Sequence, residues 1–416
     1  MSAIKGVVIV GFLVAVVWSK QLTFHNFKVF SVQVENEDQL KALQALESVG
    51  HEYDGFTYWK EPIIGRNADL VVPPNMINEF NALASKLKLN YTLKISDIQR
   101  LIDAETPEQQ PRESFGWENY HTLDEINAWL DGLVELYDDI LSVHHVGYSY
   151  ENREIRAFKL SHKENSAAIL IEANIHAREW ISSATATWLL NELLTSTDPA
   201  VVDIATNFDW YFIPVLNPDG FAYTKRTNRL WRKSRYPHSH LCYGVDLNRN
   251  FDFMWMHVGA SSNPCSDTFA GPEPFSDPET KALSEFMTAH IDEIKLFITF
   301  HSYGQYILTP FAYTYDPADN YEQLKQIGNA GADAIRTRYG TNYVVGSSSE
   351  VLYMNSGSSR DWIMGVNKIN ASFTIELRDQ GNYGFILPPE QIIPNCLEIF
   401  DGLKAMIGEC RTIGYL

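Results

Sequence analysis

Two histidines and one glutamate have the types and the spacing of ligands in a catalytic metal site. His176 and Glu179 stand three residues apart, directly after the apolar segment Ala168–Ala173 and before a predicted helix. His301 follows a second apolar segment, Leu296–Phe300. Two His and one carboxylate with an open fourth position are typical of catalytic zinc, whereas structural zinc sites are closed. By spacing alone, the same residues could also form a surface pair or include a histidine satisfied within the core.

The segments around these residues predict an α/β fold. Beyond residue 120, near-continuous apolar strands alternate with longer helices, which is typical of a sheet covered by helices on both faces. A capping box of Thr122 with Glu125 predicts a helix that reaches Tyr137, and Ser276 with Glu279 predicts a second capped helix. Three further strands are predicted, at Ile155–Leu160, Trp210–Leu216 and Phe373–Leu377.

Length and charge set the broad class of the protein. The 416 residues, 45% of them apolar, are enough for two or three domains with a sizeable core. The chain has 33 Lys plus Arg against 52 Asp plus Glu, a net charge of -19. Because phosphate binding needs a basic surface, this charge argues against a nucleic-acid partner and disfavours an anionic membrane surface.

The N-terminal segment predicts export. An apolar run, Gly6–Trp18, follows Lys5 and is too short to span a bilayer, so we expect residues 1–19 to be a secretory signal. The alternative is a buried N-terminal helix. Residues 24–94 mix β-like and helical runs and predict a small α+β unit.

The stretch from Ser96 to Arg112 separates this unit from the rest. It is acidic and rich in Gln, and it predicts a helix that runs into an exposed linker. A trypsin-like protease could cut there, after Arg112 or after Arg100; the alternative is a plain linker between domains. The predicted division is therefore 1–19, 20–112 and 113–416.

The four cysteines divide into two pairs. Cys242 and Cys265 are close enough in sequence to clip a loop, which export permits. Cys396 and Cys410 lie in or just beyond a predicted helix, Pro389–Met406, where fourteen residues separate Cα atoms by about 21 Å. A disulfide needs roughly 4.4–6.8 Å. We therefore expect these two not to be joined, unless the chain doubles back between them.

Six segments resemble the zinc metallocarboxypeptidases of the A/B type, which are secreted as proenzymes. They are NIHAREW, TNRLWRKSR, GVDLNRNF, TFHSYGQ, VLYMNSGSSRDW and TIELRDQGNYGF, in the family's order. The resemblance implies a catalytic domain with a mixed eight-stranded sheet flanked by helices, preceded by a small α+β pro-domain with an antiparallel sheet. It also implies one Zn²⁺ per chain and a Cys242–Cys265 disulfide.

The same resemblance assigns roles to residues. It implies that His176, Glu179 and His301 bind zinc, that Glu376 is the general base and that Arg232 polarises the scissile carbonyl. The remaining implied roles belong to Asp246, which orients His176; Asn248 and Arg249, which bind the terminal carboxylate; Tyr353, which closes over the substrate; and the more distant substrate contacts Arg178, Arg229, Ser302, Tyr303 and Phe385.

Arg360 occupies the position that corresponds to the base of the family's specificity pocket. A buried cation there is best paired by a substrate carboxylate, so we expect a preference for C-terminal Glu, then Asp. Ser348, Asn355 and Thr374 match other pocket positions and make its wall polar. The alternative is that Arg360 turns to solvent or pairs with a carboxylate of the protein, which would leave broad or A-type specificity.

Two other functions share part of this pattern. A zinc deacylase would not need the full carboxylate-binding set, and an inactive peptide-binding homologue would have lost a ligand or the base.

The expected partners are peptide or protein C-termini, an activating trypsin-like protease and a protein inhibitor, with no membrane and a monomeric state. The resemblance to digestive members, including insect midgut enzymes, implies secretion into a digestive lumen. Sequons at Asn90 and Asn370 are candidate glycan sites, of which we expect the second to be poorly accessible.

Overall fold

The computed structural model describes residues 21–46, 55–105, 115–163 and 167–416. The predicted signal segment and the predicted cleavage residue Arg112 lie outside these residues. Within them, no helix combines the length and the apolar character needed to cross a membrane.

The N-terminal unit is built on a four-stranded antiparallel sheet with strand order β2-β3-β1-β4. Phe30, Leu70 and Phe80 pack together in its core, between the sheet and a helix. This is the small α+β unit that the sequence predicts. Its strands are β1 Lys28–Gln33, β2 Thr57–Lys60, β3 Asn67–Val72 and β4 Asn90–Ile95, and its helices are α1 Glu37–Gln44, α2 Ile77–Leu87 and α3 Ile98–Glu105.

The C-terminal unit contains a mixed eight-stranded sheet with strand order β11-β10-β12-β9-β7-β8-β6-β5. The central strands β12, β9, β7 and β8 run parallel, and β5, β6 and β10 introduce antiparallel pairs. The carboxyl ends of the parallel strands therefore meet at one edge. The strands are β5 Leu141–Tyr148, β6 Glu154–Leu160, β7 Ala168–Ala173, β8 Asp209–Ile213, β9 Ile294–His301, β10 Tyr306–Thr309, β11 Val344–Ser347 and β12 Ala371–Glu376.

Helices cover both faces of this sheet, as the apolar strands predict. On β7, Ile169 and Ile171 pack into one apolar cluster while Ala168 and Leu170 pack into another on the opposite face. The residues of both clusters are buried, so the central strands are covered on both faces. The helices are α4 Leu123–Leu136, α5 Trp180–Thr195, α6 Pro199–Asn207, α7 Pro218–Arg226, α8 Pro278–Ala289, α9 Tyr321–Tyr339, α10 Ser348–Val351, α11 Ser359–Gly365 and α12 Ile392–Ile413.

The two predicted helix starts have different outcomes. Helix α4 begins with the predicted capping box of Thr122 and Glu125. The prediction for the second helix is wrong in its cap, because Asp277 is the residue that precedes α8. Ser276 instead accepts a hydrogen bond from Asn250 Nδ2 at 3.0 Å, so a tertiary contact takes the hydroxyl away from the helix end.

Strand β8 is shorter than predicted, and α12 is longer. β8 ends at Ile213 because Pro214 has no backbone N–H to continue the ladder. Helix α12 continues to Ile413 with no reversal between its two cysteines.

The cysteine pairs are as predicted. Cys242 and Cys265 form a disulfide with a Cα–Cα distance of 5.0 Å. Cys396 and Cys410 are both buried on α12 and are not joined. The expectation for the second sequon is wrong, because Asn370 is exposed in the turn that precedes β12.

Candidate active site

The three predicted metal ligands converge at the carboxyl ends of β7 and β9. His176 Nδ1 lies 2.9 Å from Glu179 Oε1 and 3.1 Å from His301 Nδ1, and His301 Nδ1 lies 3.1 Å from Glu179 Oε2. All three side chains are buried. His176 and Glu179 lie in the turn between β7 and α5, and His301 is the last residue of β9. The sheet therefore brings together residues that are 125 positions apart.

This donor set fits a zinc ion. Tetrahedral ligands about 2.0–2.1 Å from zinc lie roughly 3.3 Å from one another, close to the observed spacing. The Nδ1 atoms of the two imidazoles and the Glu179 carboxylate oxygens lie within about 3.1 Å of one another, so one cation would be within reach of all three side chains. In the described part of the chain, His176, Glu179 and His301 are the group of three whose ligand atoms lie within 4.8 Å of one another.

Asp246 contacts His176 on the side of the ring that faces away from the other two ligands. Its Oδ1 pairs with His176 Nε2 at 3.0 Å, which leaves Nδ1 of that ring directed at the metal position. Its Oδ2 accepts from Arg232 Nη2 at 2.8 Å. Burial alone would raise the pKa of Asp246, but the nearby cations Arg232 and Arg249, together with His176, hold it well below its usual range. The carboxylate therefore stays charged and fixes His176 and Arg232 together.

Glu376 lies beside the metal ligands. It is the last residue of β12, directly paired with His301 in the parallel register, and its side chain lines the same cavity. Burial raises the pKa of Glu376 to about 7. A carboxyl group with such a pKa can both accept and return a proton near neutral pH.

Asn248, Arg249 and Tyr353 form a polar group on another wall of the cavity. Arg249 Nη2 donates to Tyr353 Oη at 3.2 Å, and its Nε donates to the carbonyl of Gly259 at 2.9 Å. Asn248 Oδ1 accepts from the backbone N–H of Ser359 at 3.0 Å. These contacts fix the Arg249 guanidinium and the Asn248 amide, while the hydroxyl of Tyr353 is hydrogen-bonded to Arg249.

Arg360 lines the cavity and is buried, but it is already paired within the protein. Its Nε and Nη2 donate to Asp361 Oδ1 at 3.0 and 2.9 Å, and its Nη1 donates to Thr374 Oγ1 at 3.3 Å. Asp361 Oδ2 accepts from the backbone N–H of Ala312. Arg360 therefore lies in the predicted pocket. It also pairs with a carboxylate of the protein, Asp361, as the alternative prediction of broad or A-type specificity requires. Ser348 and Asn355 also line this part of the cavity.

The N-terminal unit covers the mouth of the cavity. Residues 58–61, on and just after β2, line it together with the metal ligands. Trp59 packs against Phe385 and Tyr303, with ring centroids 5.4 and 6.3 Å apart. Lys60 Nζ lies 4.7 Å from the Tyr303 ring centroid, and the Tyr303 hydroxyl donates to Asp69 Oδ2 at 2.9 Å. In this form of the chain, the N-terminal unit therefore forms part of the wall of the cavity.

Four of the five predicted distant substrate contacts line the cavity, and one does not. Arg178, Ser302, Tyr303 and Phe385 line the cavity, and the Arg178 guanidinium lies 4.2 Å from the Phe385 ring centroid. Arg229 is not among the lining residues; it is 1% exposed, and its side chain pairs with Glu105 of the N-terminal unit. Its predicted role as a substrate contact therefore has no open surface in this form of the chain.

The cavity also contains residues that the sequence reasoning missed. Asp267 and Thr268 line it just after the disulfide cysteine Cys265, and Asp267 Oδ2 accepts from Arg178 Nη1 at 3.4 Å. The proximity of a loop-clipping disulfide is the one sequence signal that could have indicated them. Leu308, Ser358 and residues 58–61 carry no such signal.

Family profiles match both units of the chain. The zinc carboxypeptidase profile matches residues 126–402, and the carboxypeptidase activation peptide profile matches residues 30–105. The chain belongs to the zinc carboxypeptidase family. It is a zinc-dependent metallocarboxypeptidase with an activation peptide, a term used below for residues 30–105. In the described part of the chain, the His176, Glu179 and His301 cluster is a group that could hold the one metal ion of such an enzyme.

Relatives and solved structures cover nearly the whole carboxypeptidase chain. It is 37% identical to "Zinc carboxypeptidase A 1" of Anopheles gambiae, over 94% of this chain and 91% of the relative. It is 38% identical to "Carboxypeptidase A2" of Mus musculus, over 95% and 96%. The structure of thrombin activatable fibrinolysis inhibitor superposes with a TM-score of 0.85 at 32% identity, covering 92% of this chain and 98% of that one. These matches confirm the predicted family and fold.

Proposed function

We propose that this carboxypeptidase is secreted as an inactive proenzyme and, after activation, hydrolyses the C-terminal peptide bond of peptides and proteins. The observation that carries the proposal is one cavity lined by the zinc ligands, a carboxylate base and a fixed arginine and amide pair. A deacylase needs only the first two. An inactive homologue would lack a ligand or the base, and His176, Glu179, His301 and Glu376 are all present.

The side chains divide the reaction between them. Bound zinc supplies Lewis-acid chemistry, which polarises a carbonyl and acidifies water. Glu376 accepts the proton of the attacking water and later delivers it to the leaving amine. Arg232, fixed by Asp246, stabilises the negative charge that develops on the carbonyl oxygen.

The other wall determines where the chain is cut. Arg249 and Asn248 bind the free α-carboxylate of the substrate, so that only a terminal residue fits beyond the scissile bond. Tyr353 exchanges its hydrogen bond with Arg249 for one with the substrate and closes over the bound residue. Mid-chain bonds lack the α-carboxylate and are not cut.

Arg360 supports a preference for C-terminal Glu, then Asp. Its Nη1 donates to Thr374 Oγ1 on the pocket wall at 3.3 Å, and Ser348 and Asn355 add polar groups to the same wall. A substrate carboxylate would be the stronger acceptor for that edge of the guanidinium. The ion pair with Asp361 favours the second candidate, broad or A-type specificity, because it already neutralises the cation.

Activation and partners follow from the covered cavity. A trypsin-like protease would cut near Arg112 and release the activation peptide. A protein inhibitor is a further expected partner, since bovine thrombin-activatable fibrinolysis inhibitor, 37% identical to this chain, has a solved complex with tick carboxypeptidase inhibitor. An extracellular location agrees with the apolar N-terminal run, and a digestive lumen is the proposed compartment.

The test compares terminal residues. The trypsin-activated enzyme is assayed for kcat/KM on peptides that differ only in the last residue, as wild type and as Arg360→Ile. Best cleavage of the Glu peptide, with that preference lost in the variant, supports the specificity. Best cleavage of Phe or Leu peptides by wild type would overturn the Glu preference but leave the carboxypeptidase activity, whereas absence of cleavage of every peptide would overturn the proposed function.

A further inference from the structure

A buried asparagine begins the turn that carries two of the three metal ligands. Asn174 directly follows β7, two residues before His176, and it is 0% exposed. Its backbone lies in the left-handed region, with a φ of 58°. Asparagine is one of the few residues besides glycine that occur in this region. Glycine could form the same backbone turn, so the buried amide calls for a separate explanation.

The amide of Asn174 joins the two ligand residues through their backbones. Its Nδ2 donates to the carbonyl of Glu179 at 3.2 Å and, more weakly, to the carbonyl of His176 at 3.4 Å. Because a carbonyl only accepts hydrogen bonds, an amide nitrogen fits between these two groups, whereas a carboxylate oxygen does not. One side chain therefore uses both of its N–H groups to hold the backbone at both ligands.

A serine closes the same turn from the helix. The backbone N–H of Asn174 donates to Ser182 Oγ at 3.1 Å, and that hydroxyl donates to the carbonyl of Glu179 at 2.6 Å. Ser182 lies in the first turn of α5 and is buried. The main chain and the side chain of Asn174 thus both lead to the Glu179 carbonyl, which ties the end of β7 to the start of α5.

We infer that Asn174 is a positioning residue of the metal site, whose amide holds the backbones of His176 and Glu179 at the spacing that zinc needs. The ligand atoms of the two residues, His176 Nδ1 and Glu179 Oε1, lie 2.9 Å apart. Without the amide, zinc binding would also have to order the turn, which weakens the affinity. The inference rests on the proposed function, in which these two residues bind zinc, and adds to it a residue that sets the zinc affinity.

The test measures zinc binding to the intact chain. Zinc is removed with a chelator, and the zinc dissociation constant is determined by competition with a chelator of known affinity. Circular dichroism records folding and the unfolding midpoints of the zinc-free and zinc-loaded forms. Asn174→Gly keeps the left-handed backbone accessible and removes the amide. We expect this variant to bind zinc about tenfold more weakly than wild type, as for the loss of other groups that support a metal ligand.

Two further variants sharpen the assignment. Asn174→Asp keeps the shape of the side chain but places a carboxylate oxygen against two carbonyls, so its loss of zinc affinity should exceed that of Asn174→Gly. Asn152→Gly is the matched control, because Asn152 also has a left-handed backbone, with a φ of 62°. It lies in the turn between β5 and β6, at the far edge of the sheet. The control should leave the zinc dissociation constant unchanged.

The outcomes distinguish positioning from a purely structural role. If Asn174 served only the fold, Asn174→Gly would lower the unfolding midpoints of the zinc-free and zinc-loaded forms equally and leave the zinc dissociation constant unchanged. That result would overturn the inference, as would a zinc-free Asn174→Gly chain that does not fold, or an equal loss of affinity in Asn152→Gly. A wild-type chain that binds no zinc would instead overturn the ligand assignment and, with it, the proposed function.

Discussion

The zinc cluster and the Arg360 pocket are two buried polar groups in one cavity, and they differ in how their charge is balanced. At the cluster, the ligand side chains approach one another in pairs at 2.9–3.1 Å, and Asp246 pairs with Nε2 of His176, which faces away from the other ligands. At the pocket, Asp361 already accepts two hydrogen bonds from Arg360. The first group has the side-chain types and the spacing of a zinc site, whereas in the second group the cation already has a carboxylate partner within the protein.

This difference explains why a bound metal can be inferred from the cluster more directly than a substrate preference can be inferred from the pocket. A buried group of two imidazoles and one carboxylate at the spacing of tetrahedral zinc ligands indicates a metal ion by its own composition and geometry. A buried cation with an internal carboxylate carries no such indication. The metal site can therefore be inferred from its own atoms. The preference for a terminal residue depends on how much of the charge and hydrogen-bonding capacity of Arg360 remains for a substrate once Asp361 is paired with it.

The largest effect is expected at the cluster itself. Glu179→Gln should abolish both zinc binding and peptide hydrolysis, since a neutral amide is a poor zinc ligand and the two histidines alone leave the site open. Zinc content by atomic absorption, together with kcat/KM, checks this. A variant that retains full zinc content and activity would contradict the assignment of Glu179 as a zinc ligand, and with it the comparison with the Arg360 pocket.

The next effect separates chemistry from metal binding. Glu376→Gln should lower kcat by about 10²–10⁴-fold and leave the zinc content unchanged, because the amide cannot take up the proton. In wild type, burial raises the pKa of Glu376 to about 7, so the carboxylate is protonated and activity is lost as pH falls. A bound zinc cation lowers that pKa, so the acidic limb of the kcat profile should lie at or below pH 7. Zinc loss in the variant would mean that Glu376 helps to hold the metal.

Asp246→Asn should weaken zinc binding by about 10–100-fold. The amide no longer stabilises the required orientation of His176 and no longer balances Arg232. Competition with a chelator of known zinc affinity measures the change. Unaltered zinc affinity would show that His176 is oriented by the remaining packing alone.

The smallest effect tests the pocket. Asp361→Asn keeps the shape of the side chain but removes the internal counter-charge of Arg360. We expect the ratio of kcat/KM for C-terminal Glu over Phe to rise about tenfold, because the guanidinium gains a free charge for the substrate. An unchanged ratio would indicate that Arg360 does not contact the terminal side chain.

Local patterns predicted most of the fold. The capping box of α4 and the apolar strands β7 and β9 agree with these patterns, whereas the mixed eight-stranded sheet agrees with what the family resemblance implied. The cap of α8 was wrong, because Ser276 is engaged by Asn250 and local patterns do not report tertiary partners. The length of β8 was overestimated, although Pro214 in its sequence marks the strand end.

The sequence by itself determined the residue types of the site and their order along the chain. His176 and Glu179 share one turn, so their proximity is local, and the motifs around them are sufficient to predict zinc and the family. Only the tertiary structure decided which charges meet across the chain, such as Glu105 with Arg229, 124 positions apart. Its packing also brings residues 58–61 over the cavity. Such pairings depend on the docking of separately folded elements, whose relative placement no local spacing encodes.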